Sequence, residues 1–588
     1  MRSGPGDTRY GWAISVLNRA IIVLSLLFCV SLYKNISYPL LWNDESETAV
    51  TAVKVLEYGY PKVHDGKNVI VLPLTPLWKG YKTSCDANIM ITWANFYFAT
   101  VGALLAMLTR DIYLRTALVR IPFATAGLFG LIILALSARG IFQRPLRYKI
   151  FLTLFTCVEI CSVFLILHMR EARYYSLIIL VSACFLYACT NHFIHKRYNF
   201  GSYLASMTLL LVIAFNVNFI LYYVFCAVLL FVQAVNSASA IVARAPDESG
   251  RPFDLREWLM ELLKAVAPVA GATALLAPLF VFYEIFRTSE LMAWIYNFTF
   301  ESYLTHLRMI LKYFSELELL YVAAALKICV LFGWLCMKLM GVPGDRYTSW
   351  RAEYGKMLRL SLLLASFLVI YSLIIANIPT YLFVRYYIVL QPVMAVMMLT
   401  DLFMVIGYIN MLVVPSKRLL IKSCLAITVA VLSLVTFSHA SGYIKGYIYQ
   451  LTHQYKGPLD CIIPWIRENM RNTERLVVAT NYEECSYIYY LNCKVTIGSM
   501  GMNLDEDLRY QPDIIVERKA YSRMHEVFAR LLRQGKYIKV SFPVYDYPVN
   551  NIPDPFFIGH LFETRYGRNE SEKTDMYVRV EGPRRRRP

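Results

Sequence analysis

The chain has 588 residues, of which 57% are hydrophobic and only 17% charged, with a formal net charge of +18 at pH 7. Soluble globular chains carry roughly a quarter charged residues, so the composition excludes an ordinary soluble protein and points to one built into a bilayer. The positive charge then reads as cytoplasmic loops obeying the positive-inside rule, not as a nucleic-acid footprint, and no nucleic-acid partner is expected.

Apolar runs long enough to cross a bilayer, which takes about 20 residues, centre at about 23, 131, 158, 182, 208, 228, 272, 330, 367, 396 and 429. The first, about Ala13 to Tyr33, follows Arg2 and Arg9 and has no small-residue cleavage site, so it reads as an uncleaved anchor. The segment Ala87–Leu108 is ambiguous. If it does not cross, Arg139, Arg144, Arg147 and Lys149, then Lys196 and Arg197, then Lys417 and Arg418 all fall inside. That segment is therefore read as a helix lying in the outer interface or re-entering from it, with Trp93, Asn95 and Tyr97 at headgroup level. About 11 crossings result, with the N-terminus inside and two outer loops, about Lys34–Arg120 and about Arg287–Glu318. The second loop carries an amphipathic stretch with Trp294, Tyr303, His306 and Arg308.

Three outer-edge motifs hold most of the chemistry. Asp44, Glu45 and Glu47 open a predicted helix whose apolar face is Ala49, Val50, Ala52, Val53, Val55 and Leu56 and whose stop is Gly59. Asp44 with Glu47 resembles a capping box, and acids suit the positive end of a helix dipole. The stretch HMREARYYS, His168 to Ser176, is a short outer turn whose Arg170 and Arg173 run against the positive-inside bias. Snorkelling arginines and tyrosines at an interface would explain it, and so would an anion site, because guanidinium forks suit phosphate. In the second reading Glu171 holds an arginine in place or binds a divalent metal, although its surroundings offer no ligand set. FVRYYIVLQP, Phe383 to Pro392, repeats the pattern with Arg385 and Tyr386, and Tyr174, Tyr175 and Tyr386 are supporting candidates. Glu159, Glu284 and Asp401 lie in or near apolar runs, where acids are candidates for function or for a polar cavity.

From about Cys461 the chain reads as a small α/β domain: a helix PWIRENMRNTE, a strand RLVVATN, a tyrosine-rich SYIYYLN, strands KVTIG and PDIIVE, and a helix HEVFARLLRQGKY. The alternation predicts a short, mostly parallel sheet. Thr480 and Asn481 end a strand, but no Gly-rich phosphate loop follows, which favours a structural or acceptor-guiding role. Cys461, Cys485 and Cys493 could pair, with no metal-site spacing. The run Arg584–Arg587 reads as a disordered basic tail.

In order, Asp44-Glu45, a helix ending at Gly59, Asp65-Gly66, Arg120-Ile121-Pro122 and Arg170-Glu171-Ala172-Arg173 resemble the GT-C superfamily of membrane glycosyltransferases. The similarity is to the branch of protein O-mannosyltransferases and lipid A aminoarabinose transferases. It covers about residues 10 to 240 by motif and the rest by architecture. The resemblance implies a polytopic helical membrane protein of GT-C type, with a catalytic domain over 1–440 containing outer loop 34–120. An extracytoplasmic, periplasmic α/β domain would follow over 441–588. It also implies a polyprenyl-phosphate sugar donor such as an undecaprenyl phosphate conjugate, and a lipid, glycan or protein acceptor at the outer face of a bacterial inner membrane. Many relatives carry Lys-Pro-Pro before the second outer helix. This chain reads LPLTPLWKG, Leu72–Gly80, with the lysine missing or displaced to Lys79.

Transfer would then use Asp44 as general base, Glu45 to support the helix start or orient Asp44, and Arg170, Arg173 and Arg385 to hold the departing phosphate, with inversion at the sugar. A transporter or flippase would use the same arginines for binding alone, yet the chain has no internal repeat and its acids cluster at the outer face. A glycan polymerase or ligase of another membrane fold would not need the Asp-Glu pair.

Overall fold

The structure, a computed structural model, describes residues 11–63, 65–69, 78–79, 89–90, 94–243, 255–282, 299–339, 344–378, 382–454, 456–498, 504–519, 524–544, 546 and 573–580. Among the described residues nine helices are long and apolar enough to cross a membrane. They are α1 (Gly11–Tyr33), α4 (Ile112–Ser137), α7 (Tyr175–Cys189, continued by a π turn Thr190–Ile194), α8 (Phe200–Val217), α9 (Phe219–Ala243), α12 (Leu320–Leu339), α13 (Gly344–Ile375), α14 (Leu390–Leu412) and α15 (Pro415–Thr452). The run at about 158 is broken into two helices. Helices α5 (Pro145–Cys161) and α6 (Val163–Arg170) meet at Ser162 with a 74° bend. The run at about 272 lies in α10 (Leu255–Phe282), whose apolar part, Val266–Phe282, is shorter and carries Pro268 and Pro278.

Burial separates the helices that build the centre from those that face lipid. In α14, 89% of the apolar window is buried, against 6% in α1 and in α15, so α14 is the post around which α12, α13 and α5 pack. Asp401 on α14 pairs with Lys327 on α12 at 2.8 Å and accepts a hydrogen bond from Ser361 on α13 at 2.5 Å. This intramembrane acid ties three helices together. Glu284 lies outside the described residues.

The ambiguous segment contains α3 (Ala94–Ala106). At 1.5 Å per residue its 13 residues span about 20 Å, short of a hydrocarbon core of about 30 Å. As a single straight helix α3 is too short to cross. Asn95, Phe96, Ala99 and Ala103 are buried where α3 packs against α2 (Asn43–Tyr58) and α4, while Val101, Leu104, Leu105 and Leu108 are exposed. An apolar outer edge suits an interfacial helix. Trp93 and Trp294 lie outside the described residues. The rest of the amphipathic stretch forms α11 (Phe300–Glu316), where buried His306 meets the Ala376 carbonyl through Nδ1 at 2.9 Å.

The tail folds as α16 (Pro458–Asn469), α17 (Glu484–Leu491), α18 (His525–Gln534) and a five-stranded sheet in the order β4-β3-β5-β7-β6. Here β3 is Val477–Thr480, β4 Lys494–Ile497, β5 Ile514–Val516, β6 Tyr537–Phe542 and β7 Thr574–Arg579. The first three are mutually parallel, as the alternation predicts. The sheet as a whole is mixed, because β7 inserts antiparallel between β5 and β6. That strand, TDMYVR, went unread because it follows a long segment with no periodic pattern. Cys461, Cys485 and Cys493 are free thiols, not a disulfide pair. Arg584–Arg587 lie outside the described residues.

Candidate active site

Helix α2 begins at Asn43, with Trp42 in extended geometry before it and no side-chain cap. Asp44 and Glu45 thus sit inside the first turn, where backbone N–H groups and the dipole favour negative charge, and the capping-box reading does not hold. The far end is as expected: Gly59 adopts φ 82° and its N–H reaches the Val55 carbonyl, a left-handed ending that glycine accepts without strain.

The two neighbouring acids then part company. Glu45 is fully buried and accepts a bidentate pair from Arg120, Nε at 2.8 Å and Nη2 at 2.5 Å, plus the Ala172 N–H at 2.9 Å. Arg120 spends its remaining nitrogen on the carbonyls of Ile36 and Pro39. One carboxylate thus locks the start of α2, the Arg-Ile-Pro of α4 and the turn after α6 into a single joint. Asp44 points the other way. Its side chain is 21% exposed, and its Oδ2 lies 3.5 Å from Arg385 Nη2 and 3.9 Å from Arg173 Nη2.

Arg173 is anchored on α2 through Nη1, which donates to the Asp44 carbonyl at 3.0 Å, to Thr48 Oγ1 at 3.2 Å and to Glu47 at 3.3 Å. Among the described residues its Nε has no hydrogen-bond partner. Arg385, in a single 3-10 turn Val384–Tyr386 ahead of α14, is buried at 6% exposure and held by aromatic faces. Phe383, Trp42 and Tyr386 lie 4.2, 5.2 and 5.3 Å from its guanidinium. Among the described residues, its buried Nε and Nη1 have no hydrogen-bond partner. Orphaned buried donors on a cation are costly, and two guanidiniums converging on one half-open carboxylate form a cradle for an anion.

The other predicted residues surround this cradle unevenly. Arg170 donates to the Lys34 carbonyl at 2.9 Å and stands electrostatically with Arg120 and Glu45, so it belongs to the buried joint more than to the cradle. Glu171 meets His168 Nδ1 at 2.9 Å. Burial pushes its carboxyl well above the usual range, with nearby Glu45 adding to the rise and Arg385 opposing it. Tyr174 faces Arg173 at 5.5 Å, and the buried Tyr175 hydroxyl has no partner. Burial lifts the Glu47 carboxyl to about 7 against the pull of Arg173. Lys79 lies in a two-residue strand paired with Ile89–Met90, and Leu72 to Leu77 lie with Gly80 outside the described residues. Among the described residues no three His, Cys, Asp or Glu side chains gather as a metal site.

Burial of REARYY settles its local character. His168, Arg170, Glu171, Tyr174 and Tyr175 are all buried, so the arginines do not snorkel at a lipid surface. The sequence did not expose what the tail adds. Helix α17, from the tyrosine-rich SYIYYLN, docks on the start of α2. Ser486 Oγ meets Ser46 Oγ at 2.9 Å and donates to the Leu41 carbonyl at 2.9 Å. The Tyr490 hydroxyl accepts from the Leu41 N–H at 3.0 Å and bonds Thr116 at 2.5 Å. Arg120 and Trp42 were the other unassigned members; only the Arg-Ile-Pro motif had hinted at the first.

A bundle of membrane helices, a short loop helix opening on Asp-Glu, a second apolar helix packed against it and a tail α/β domain together make up the fold expected from the resemblance to the GT-C membrane glycosyltransferases. Solved structures similar to this one bear that out at the level of fold. ArnT from Cupriavidus metallidurans in the apo state matches with a TM-score of 0.50 and 14% identity, over 90% of this chain and 97% of that one. The same protein bound to undecaprenyl phosphate matches with a TM-score of 0.51 and 13% identity, over 98% of this chain and all of that one. No protein-family model and no curated protein sequence matches the chain.

Proposed function

We propose that the protein is an inverting glycosyltransferase that moves a sugar from a polyprenyl-phosphate donor to an acceptor hydroxyl at the outer face of a bacterial inner membrane. The observation that carries this reading is the half-open Asp44 between Arg173 and Arg385, the latter with two buried donors unpartnered. The undecaprenyl phosphate bound to a protein of the same fold supports a lipid-phosphate partner.

In this mechanism the donor phosphate sits on Arg385 and Arg173, and the acceptor O–H lies against Asp44. Asp44 takes the hydroxyl proton as the oxygen attacks the anomeric carbon. The bond from that carbon to the phosphate oxygen breaks, and the electron pair leaves with the polyprenyl phosphate. The guanidiniums stabilise the charge that the phosphate gains. Attack opposite the leaving group inverts the sugar. Glu45 serves by fixing the turn that presents Asp44. The N-terminus would lie in the cytoplasm and the tail domain in the periplasm.

The test is to incubate purified protein with radiolabelled polyprenyl-phosphate sugar and an envelope extract as acceptor source. Label should move to an acceptor, and Asp44→Asn should abolish that transfer while the protein still inserts and melts as before. Full activity in Asp44→Asn removes the base assignment. Vectorial movement of intact donor without transfer would select the flippase reading instead.

A further inference from the structure

Helices α4 and α7 both begin beside the cradle and run to the opposite end of the membrane body. Ser137 lies 17 residues beyond Arg120 on α4, which is roughly 25 Å at 1.5 Å per residue. There the two helix ends enclose a cavity of about 460 Å³. Its wall includes Arg139, Arg197, His195 and Asn191, and among the described residues no carboxylate lines it.

The backbone at this end is built for the cavity. Helix α7 widens into a π turn over Thr190–Ile194, a distortion frequently found at functional sites. Lys196 then adopts φ 55°, a left-handed conformation uncommon for a residue with a side chain. That reversal brings the Arg197 N–H onto the Asn191 carbonyl at 2.9 Å, with Arg197 Nη1 3.5 Å from Asn191 Oδ1. From the α4 side, Gly140 meets the His195 ring so closely that a Cβ there would stand 2.7 Å from it. Burial lowers the proton affinity of His195, and the charges of Arg197 and Lys356 lower it further. Two arginines, Arg139 and Arg197, therefore share one concavity with no carboxylate among its described lining residues.

The mouth of the cavity identifies the carrier of the missing anion. Leu136 and Tyr187 line it one turn nearer the bilayer than the cations, and both are exposed, at 39% and 36%. A free phosphate has no use for such a wall, whereas a lipid brings acyl chains to it. Basic pockets between membrane helices are suited to lipid headgroups. We propose that this cavity binds the phosphate headgroup of an anionic phospholipid, at the end of the protein opposite the candidate active site.

The test uses the full-length protein in detergent, titrated with short-chain phosphatidylglycerol, short-chain phosphatidylcholine or inorganic phosphate, and read by native mass spectrometry. The expected result is a retained phosphatidylglycerol adduct, little phosphatidylcholine and no competition by millimolar phosphate. Arg139→Gln with Arg197→Gln should weaken phosphatidylglycerol binding by about thirtyfold, whereas Lys417→Gln with Arg418→Gln, removing equal charge from another loop at the same end, should leave it unchanged. Tyr187→Ala, which keeps all the charge, should weaken the lipid adduct by severalfold. Equal losses in the two charge pairs would reduce the effect to diffuse surface attraction and overturn the proposal. Inorganic phosphate binding as well as the lipid would overturn it in favour of a soluble anion.

Discussion

The protein sets buried arginine against carboxylate both in its tail and at the membrane lip, and it does not close every pair equally. In the tail, Arg518 at 1% side-chain exposure is closed on all sides: Glu483 and Asp546 take its guanidinium, Asn481 takes its N–H, and Tyr482 lies 5.5 Å from it. At the membrane lip, Arg385 is nearly as buried, yet it meets Asp44 only at 3.5 Å and leaves two donors empty. A closed pair of this kind is scaffolding, and an open one is poised for a ligand. The same division separates adjacent residues in the chain, because Glu45 is closed by Arg120 while Asp44 is not.

The contrast can be broken by substitution. Glu45→Gln should cause the largest loss, because it strands Arg120 in the interior; removing one member of a buried pair costs about 3–5 kcal/mol. Thermal melting of the detergent-solubilised protein measures it. An unchanged melting temperature with lost transfer would move Glu45 into the same class as Asp44. Arg385→Gln should do the reverse. Transfer should fall about 10²–10³-fold, with stability held or raised, since an unsatisfied buried charge has been removed. The smallest effect concerns Glu47. Its carboxyl titrates at about 7 in the folded protein and near 4.5 when unfolded, so the folded state holds a proton that the unfolded chain releases between those values. Its burial therefore costs stability increasingly as pH rises from about 4.5 to 7. Glu47→Gln should melt about 2 °C higher than wild type at pH 8, and the difference should shrink as pH falls and vanish below about pH 4.

Much of the membrane body was legible because a bilayer imposes one length and one polarity on every crossing. Positive-inside counting placed Ala87–Leu108 at the outer interface or re-entering from it, and the 13-residue length of α3 agrees with that. The bend at Ser162 was not legible, since Val163–Arg170 is as apolar as the helix before it and no proline marks the break. Of the candidate site, Asp44, Arg173 and Arg385 come together. Arg170 and Glu45 are drawn instead into the joint with Arg120, a distinction that depends on side-chain direction within one helical turn. Spacing alone carries no such information. The docking of SYIYYLN on α2 was unreadable for another reason: its tyrosines have the composition of any small core.

That docking sets a timetable. Ser46 and Ser486 touch across 440 positions of sequence, so this side of the start of α2 stays uncovered until Ser486 has been made. At synthesis rates of about 5–20 residues per second, that interval is roughly 20–90 s. Throughout it the membrane helices can insert one after another while the lip carrying Asp44 stays incomplete. Completion of the site is thus a late event in synthesis.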